Sequence, residues 1–317
     1  MLVTIPFREE HIEDAARLVS QRYQRLREQV PELPQRYADP SSLVPLLQGI
    51  LKPGNPAVAA VQGSRFVGFL TAWQMPDFRG KRSIYSPEWA NAALLEGSAR
   101  IYEALYSHIS GEWLAEKYSA HYLSIFPNDL QALQQWHWLG FGMFAVDGLR
   151  GLDPLPAGDT GLHIRRADLQ DIDHVMALQD ALWQYINNPP VFILSERYAR
   201  EYYEDWLQDP GKVVWLAYSQ DEPLAFIRMG PSAEDVCTII VDEQTNSIYA
   251  AFTRASARRE GIATALLASA LDHARQSGYQ RCAVPFEPMN PLGSRFWLKY
   301  FQAVCYSFLR NIDERLA

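Results

Sequence analysis

Two stretches of the chain carry the same pattern of apolar and polar positions. VTIPFREEHIEDAARLVSQRY (3–23) and HIRRADLQDIDHVMALQDALWQYI (163–186) each open as a short strand ending in arginine and pass into a helix. Ala15, Leu18 and Val19 in the first, and Val175, Leu178 and Leu182 in the second, recur at helical spacing behind an acidic residue that suits a helix start. A hairpin follows in both: AVAAVQGSRFVGFLTA turns at Gln62-Gly63-Ser64, and VVWLAYSQDEPLAFIRM at Gln220-Asp221. Both then close with a strand, an asparagine, an aromatic-rich helix and a last strand, in HYLSIFPNDLQALQQWHWLGFGMFAV (121–146) and RCAVPFEPMNPLGSRFWLKYFQAVCYSFL (281–309). One plan is used twice. The Gly- and Pro-rich GLRGLDPLPAGDTGL reads as the connection, which predicts domains at 1–150 and 162–317 joined by a linker at 151–161.

The two patterns part in the middle. After the strand SIYAAFT (247–253), the second half has ARREGIATALL, which puts two arginines ahead of an amphipathic helix with Leu267, Ala270, Leu271 and Ala274 on one face. A helix N-terminus already carries a partial positive end and ordinarily favours Ser, Thr, Asp or an acidic first turn. Arginines there suit an anion bound between them and the helix. Gly261 lets the backbone approach such an anion closely, successive N–H groups cradle it, and Arg258 and Arg259 add charge-assisted bonds. The alternative is a solvated turn whose arginines pair with acidic neighbours. The first half reads PEWANAALLEGSAR (87–100) at this place; only Gly97 offers a close approach, and Leu94 stands where the arginine would.

The series Arg258-x-x-Gly261-x-Ala263 between strand and helix resembles the acyl-CoA pyrophosphate loop of the GNAT superfamily of N-acetyltransferases, and the likeness extends through strand 281–286, Asn290 and the FWLKYF helix. It covers the second half, with the first matching in outline, as in bacterial proteins with two such domains in tandem. The resemblance implies a fold of class α/β, each domain a mixed central sheet flanked by helices. It implies acetyl-CoA as co-substrate and an amine acceptor attacking directly in a ternary complex. Ala251, Phe252 and Thr253 would hold the pantetheine arm and polarise the thioester carbonyl. Arg258, Arg259, Glu260, Gly261, Ile262, Ala263 and Thr264 would hold the diphosphate, and Asn290 would touch the arm. Many members protonate the leaving thiolate with a tyrosine, but Trp297 stands nearest that place here, so Tyr300 becomes the candidate acid, against a plain packing role. Glu287 is the candidate base or amine anchor, against an exposed carboxylate. A non-catalytic CoA-binding sensor or scaffold is the rival reading. Without the phosphate turn, the first half is expected to bind no cofactor and to serve structurally.

Composition narrows the remaining possibilities. A length of 317 residues favours two domains, and 48% hydrophobic and 12% aromatic content supports real cores. A net charge of -8 disfavours nucleic acid as a partner; the partner that the resemblance implies is a small-molecule or peptide amine, and the oligomeric state stays open. The three cysteines, Cys237, Cys282 and Cys305, form no C-x-x-C pair and fit reduced, buried thiols, with Cys305 an inert core group rather than a nucleophile. Seven scattered histidines give no H-E-x-x-H and no expected metal. G-x-S-x-G, Walker and G-x-G-x-x-G loops are absent. No signal layout or membrane-length apolar run stands in the sequence, which reads as soluble and cytoplasmic. Trp136, Trp138 and Phe141 are spaced as core aromatics, and Glu9-Glu10 and Glu201, Glu204, Asp205 as solvated helix faces.

Overall fold

The computed structural model describes the chain except residues 53–54, 157, 159–160, 196, 233–236 and 317. Its first half runs β1 (Leu2–Pro6), α1 (Ile12–Gln29), α2 (Val44–Ile50), β2 (Ala57–Gln62), β3 (Arg65–Thr71), β4 (Trp73–Phe78), β5 (Lys81–Ser86), β6 (Asn91–Ala93), α3 (Ser98–Ala115), β7 (Ala120–Ile125), α4 (Leu130–Trp138) and β8 (Gly142–Gly151). The second runs β9 (His163–Arg166), α5 (Ile172–Asn187), α6 (Arg200–Gln208), β10 (Val213–Ser219), β11 (Glu222–Pro231), β12 (Thr245–Thr253), α7 (Ile262–Gln276), β13 (Arg281–Phe286), α8 (Pro291–Tyr300) and β14 (Gln302–Asn311). Both predicted hairpins form, as β2–β3 and β10–β11. The β4–β5 hairpin was not anticipated: WQMPDFRGKRSIYS lacks clean alternation, and its turn uses a left-handed Arg79 beside Gly80.

The compact units are not the two sequence halves. One contains Met1–Asp147, Cys237–Ile239 and Ala303–Ala317, and the other Gly148–Val236 and Ile240–Gln302. The last strand therefore belongs with the first unit, where β14 pairs antiparallel with β7 from Tyr306↔Ile125 to Asn311↔Ala120. The stretch read as a linker begins as strand, since β8 runs through Gly151; Ala157, Asp159 and Thr160 lie outside the described residues.

The first unit pairs β1, β2, β3 and β6 in antiparallel order. Ile101, Leu105 and Ile109 of α3 recur every fourth residue and bury against that sheet with Trp136 and Phe141. Trp138 departs from the expectation: it is 79% exposed at the end of α4, on the side opposite the buried Trp136. In the second unit β9, β10, β11 and β12 run antiparallel. Leu267, Ala270, Leu271 and Ala274 of α7 are buried as their spacing predicts, and Val175 and Leu178 of α5 pack with Trp206 and Phe226. All three cysteines are buried and reduced. Among the described residues no helix is long and apolar enough to cross a membrane.

An ion pair is buried in the first unit. Arg22 of α1, 5% exposed, donates from Nη1 to Ala93 O at 2.8 Å and to Asp129 Oδ2 at 2.9 Å. The other Asp129 oxygen accepts from Ser98 Oγ and from the Ala132 N–H, each at 3.0 Å, so Asp129 also caps α4. Removing one member of a buried ion pair strands the other charge, which ordinarily costs about 3–5 kcal/mol. Arg22→Met is expected to lower the denaturation midpoint by a corresponding amount, and adding Asp129→Asn to recover part of it. An unchanged midpoint in the single variant would show that Asp129 does not depend on Arg22.

Candidate functional site

The site begins where two strands separate. β12 pairs in parallel with β13 at Thr245, Asn246 and Ser247. Beyond Ser247, β12 continues six residues along β11 alone, with a register shift between Arg228↔Ala250 and Met229↔Ile248 that makes Tyr249 an extra residue. A bulge of this kind bends its strand and sharpens the twist, which turns β12 away from β13. The edge of β12 at Ala251–Thr253 is thereby left outside the β13 ladder. Such an edge offers backbone N–H and C=O groups to an extended ligand.

The chain then turns into α7 with no cap. A short 3-10 turn at Ala255–Ala257 leads to Arg258; Arg259 takes a left-handed backbone at φ 71° and Gly261 another at φ 82°. Glycine adopts this conformation freely, whereas a non-glycine residue held there is strained and needs surroundings that enforce it. Gly261 is the N-cap, its helix has no side-chain cap and no acidic residue in the first turn, and the first helical bond runs from Ala265 N to Gly261 O at 3.0 Å. The N–H groups of Ile262, Ala263 and Thr264 thus precede the helical ladder. The contrast with α4 and α8, capped by Asp129 and Asn290, is sharp.

Arg258 is fixed by neutral partners. Its Nε donates to Thr253 O at 3.1 Å, and its guanidinium lies over Tyr185 at 4.9 Å and Phe252 at 5.7 Å. Among the described residues neither Arg258 nor Arg259 forms an ion pair, so the reading of a turn neutralised by acidic neighbours does not hold.

A cavity of about 330 Å³ lies against these elements. Every residue expected on the cofactor side lines it except Glu260, which is exposed on the turn. Ala251, Phe252 and Thr253 form one wall, and the turn and start of α7 form another. Asn290 stands at the start of α8, where its Oδ1 accepts from Gly293 N at 3.1 Å and from the Tyr185 hydroxyl at 3.0 Å. With the oxygen engaged on both sides, the amide nitrogen is the group left to face a ligand. Tyr185 was not singled out from sequence, although it follows Leu178 and Leu182 on one face of α5; that spacing was the signal available.

The two expected catalytic side chains stand apart from the lining. Trp297, 8% exposed, lines the cavity at the place nearest the usual tyrosine. The Tyr300 hydroxyl lies one hydrogen bond behind, 2.9 Å from Oγ1 of Thr264, which does line it. Burial pushes the Tyr300 phenol up, but the bonds to Thr264 and Lys299 and the positive charges of Lys299 and Arg150 outweigh it and hold the phenol below its ordinary value. Glu287 is half-buried at the end of β13, and its backbone carbonyl accepts from Asn290 N and Ser294 Oγ.

Comparison with known proteins bears on this geometry. The GCN5-related N-acetyltransferase of Sphaerobacter thermophilus aligns over 98% of this chain and 95% of its own, with a TM-score of 0.58 at 14% identity. A glucosamine N-acetyltransferase region of a fungal multi-domain GH3 β-N-acetylglucosaminidase aligns over 98% of this chain and 38% of that one, with a TM-score of 0.52 at 13% identity. No curated protein matches in sequence. The class is therefore that of the acetyltransferase fold, a mixed α/β architecture whose relatives span the whole chain. Within that class, residues 178–297 match the family model described as Acetyltransferase (GNAT) family.

Asn290 joins the helix cap to the cavity wall, which makes its loss measurable. Asn290→Ala removes the cap and the acceptor of Tyr185, and is expected to destabilise the protein by about 1 kcal/mol. Asn290→Asp keeps both acceptors and should restore the thermal midpoint. If Asn290→Ala melts like the unmodified protein, the cap is dispensable.

Proposed function

We propose that the second unit transfers an acetyl group from acetyl-CoA to an amine. The observation that carries the reading is the uncapped, glycine-led start of α7, with Arg258 pre-positioned beside it and the open edge of β12 leading away. A diphosphate at the helix start would meet three N–H groups and the helix dipole, and a pantetheine arm would extend the sheet along Ala251–Thr253. A neutral amine attacks the thioester carbonyl, whose developing oxyanion takes a hydrogen bond from a β12 N–H. The C–N bond forms and the C–S bond breaks. The ammonium proton passes to Glu287 or water, and the thiolate takes a proton from Tyr300, relayed by Thr264. Holding both reactants in one complex replaces a bimolecular encounter with an oriented step.

The exclusion of Tyr300 and Glu287 from the lining favours one alternative: a module that binds CoA without turnover. Thiol release from acetyl-CoA over a panel of amines separates the two, since the alternative gives binding and no thiol.

For the cofactor, calorimetric titration with acetyl-CoA is expected to give one site per chain. Gly261→Val should abolish most of the affinity, because a branched residue is strained at φ 82° and intrudes on the turn. Arg258→Gln, which leaves the backbone alone, should weaken binding by roughly 10-fold or more, the loss of one charge-assisted bond. Two sites, or unaltered affinity in both variants, would overturn the assignment.

For the acid, Tyr300→Phe should lower kcat by on the order of 10²-fold with cofactor affinity nearly unchanged. The phenol donates only while neutral, so kcat should fall as pH rises through its pKa, which lies below the ordinary tyrosine value of about 10. That alkaline limb should vanish in the variant. A limb that persists assigns it to another group.

A further inference from the structure

Outside the cleft, the first unit assembles a cluster that sequence spacing conceals. The Sγ atoms of Cys237 and Cys305 and a carboxylate oxygen of Asp147 all lie within 4.8 Å of one another, and all three residues are buried. They are separated by 90 and 68 residues in the chain, and they come from the middle of β8, the Cys237–Ile239 segment and β14. A further buried carboxylate is held by the same 237–239 segment. Glu88, 1% exposed, accepts the Ile239 N–H on Oε1 at 3.0 Å, while its Oε2 has no partner among the described residues. Asp147 Oδ1 accepts the Cys237 N–H at 3.2 Å, so each carboxylate is oriented by the segment that carries the cysteine.

The charge balance of this interior is unusual. Burial pushes Cys237 well up, Cys305 up to about 11 and Glu88 up to about 7, and the contact between the two thiols raises Cys237 further while it lowers Cys305. Arg22, the buried arginine of this unit among the described residues, is engaged with Asp129. A fully buried carboxyl oxygen with no donor is uncommon and calls for a cause.

We propose that Cys237, Cys305 and Asp147, with Glu88 as fourth donor, form a structural site for a divalent cation of zinc type. Two sulfurs and two oxygens make a four-donor set of the kind that zinc accepts, and thiolates select it over calcium or magnesium. On binding, the two thiols release their protons to solvent. Two thiolates, two carboxylates and Zn²⁺ then sum to −2, the charge of a buried Cys₄ zinc site. The ion would tie the 237–239 segment to β8 and β14. Because the donors are buried, it would enter as the chain folds.

The test uses the full chain, unfolded with chelator and reductant and refolded with or without Zn²⁺ or Co²⁺. The expected result is one zinc per chain by elemental analysis, a thiolate-to-cobalt charge-transfer band with Co²⁺, and a raised thermal midpoint. Cys282→Ser should keep all three. Cys237→Ser and Cys305→Ser should weaken zinc binding by on the order of 10²-fold or more. Should either fail to fold, Glu88→Gln changes one atom and should still lower the affinity, roughly 10-fold or more. Three results would overturn the site: refolded protein that takes up no zinc, zinc retained equally by Cys237→Ser and Glu88→Gln, or an intact mass two hydrogens lower, which marks a Cys237–Cys305 disulfide.

Discussion

The parting of β12 from β13 after Ser247 is the constraint on which the rest of the second unit depends. While two strands stay paired, their backbone groups satisfy one another and nothing can bind between them. The extra residue at Tyr249 bends β12, and the same bend creates the cavity, frees the strand edge and aims the chain into the turn at Arg258. Each further feature presupposes it. Thr253 O can hold Arg258 because the strand ends there, and Tyr185 can bridge Arg258 and Asn290 because α5 lies across the opening. A helix start without a side-chain cap leaves its first N–H groups unengaged. Beside an opening lined by two arginines that form no ion pair, this one has the charge that the proposed diphosphate site requires.

The first unit shows what that geometry becomes without the charges. Gly97 begins α3 in the left-handed conformation at φ 79°, again with no side-chain cap, so the glycine turn that its sequence had not promised is present. Its surroundings differ. The buried Asp129 carboxylate accepts from Ser98, the first residue of α3, and is itself neutralised by Arg22. The chain thus supplies its own anion beside this helix start, along with the matching cation from α1. The two units share a backbone solution and differ in that a buried carboxylate stands beside the first helix start and two arginines without ion pairs stand beside the second.

How much of this could be read from the sequence follows the distance over which each feature is encoded. The turn from Thr253 to Thr264 is local: its glycine, its arginines and the flanking periodicities lie within a dozen residues, and of the residues expected on the cofactor side there, all but Glu260 line the cavity. Features made by chain-distant partners were not accessible in the same way. Tyr185 and Asn290 meet across 105 positions, and Cys237 and Cys305 carry no spacing that a metal motif would require. Trp138 misled because its neighbour Trp136 satisfies the same apolar pattern, and only the end of α4 decides which ring faces inward. The last strand follows the second half in sequence, yet its hydrogen bonds to β7 place it in the first unit, which no local pattern announces.

The same distinction separates the two substrates. Apart from Asn290, the groups proposed for the acyl carrier come from the stretch 251–264, because a long ligand with a diphosphate and an amide arm can be recognised by backbone N–H groups and a strand edge, which any sequence of suitable shape provides. The rest of the cavity wall comes from scattered side chains: Leu182 and Tyr185 of α5, Phe226 of β11, and Leu292, Phe296 and Trp297 of α8. Their identities, not their backbone, set its shape and polarity. With no charged side chain among those six, that wall selects by fit and by the Tyr185 hydroxyl rather than by ion pairing. Under the proposed reaction, an acceptor moving along this wall would have to present its amine neutral and leave its water behind. The stretch proposed for the acyl donor is therefore legible as a motif, whereas the wall left for an acceptor is made by the packing of elements brought together only by the fold.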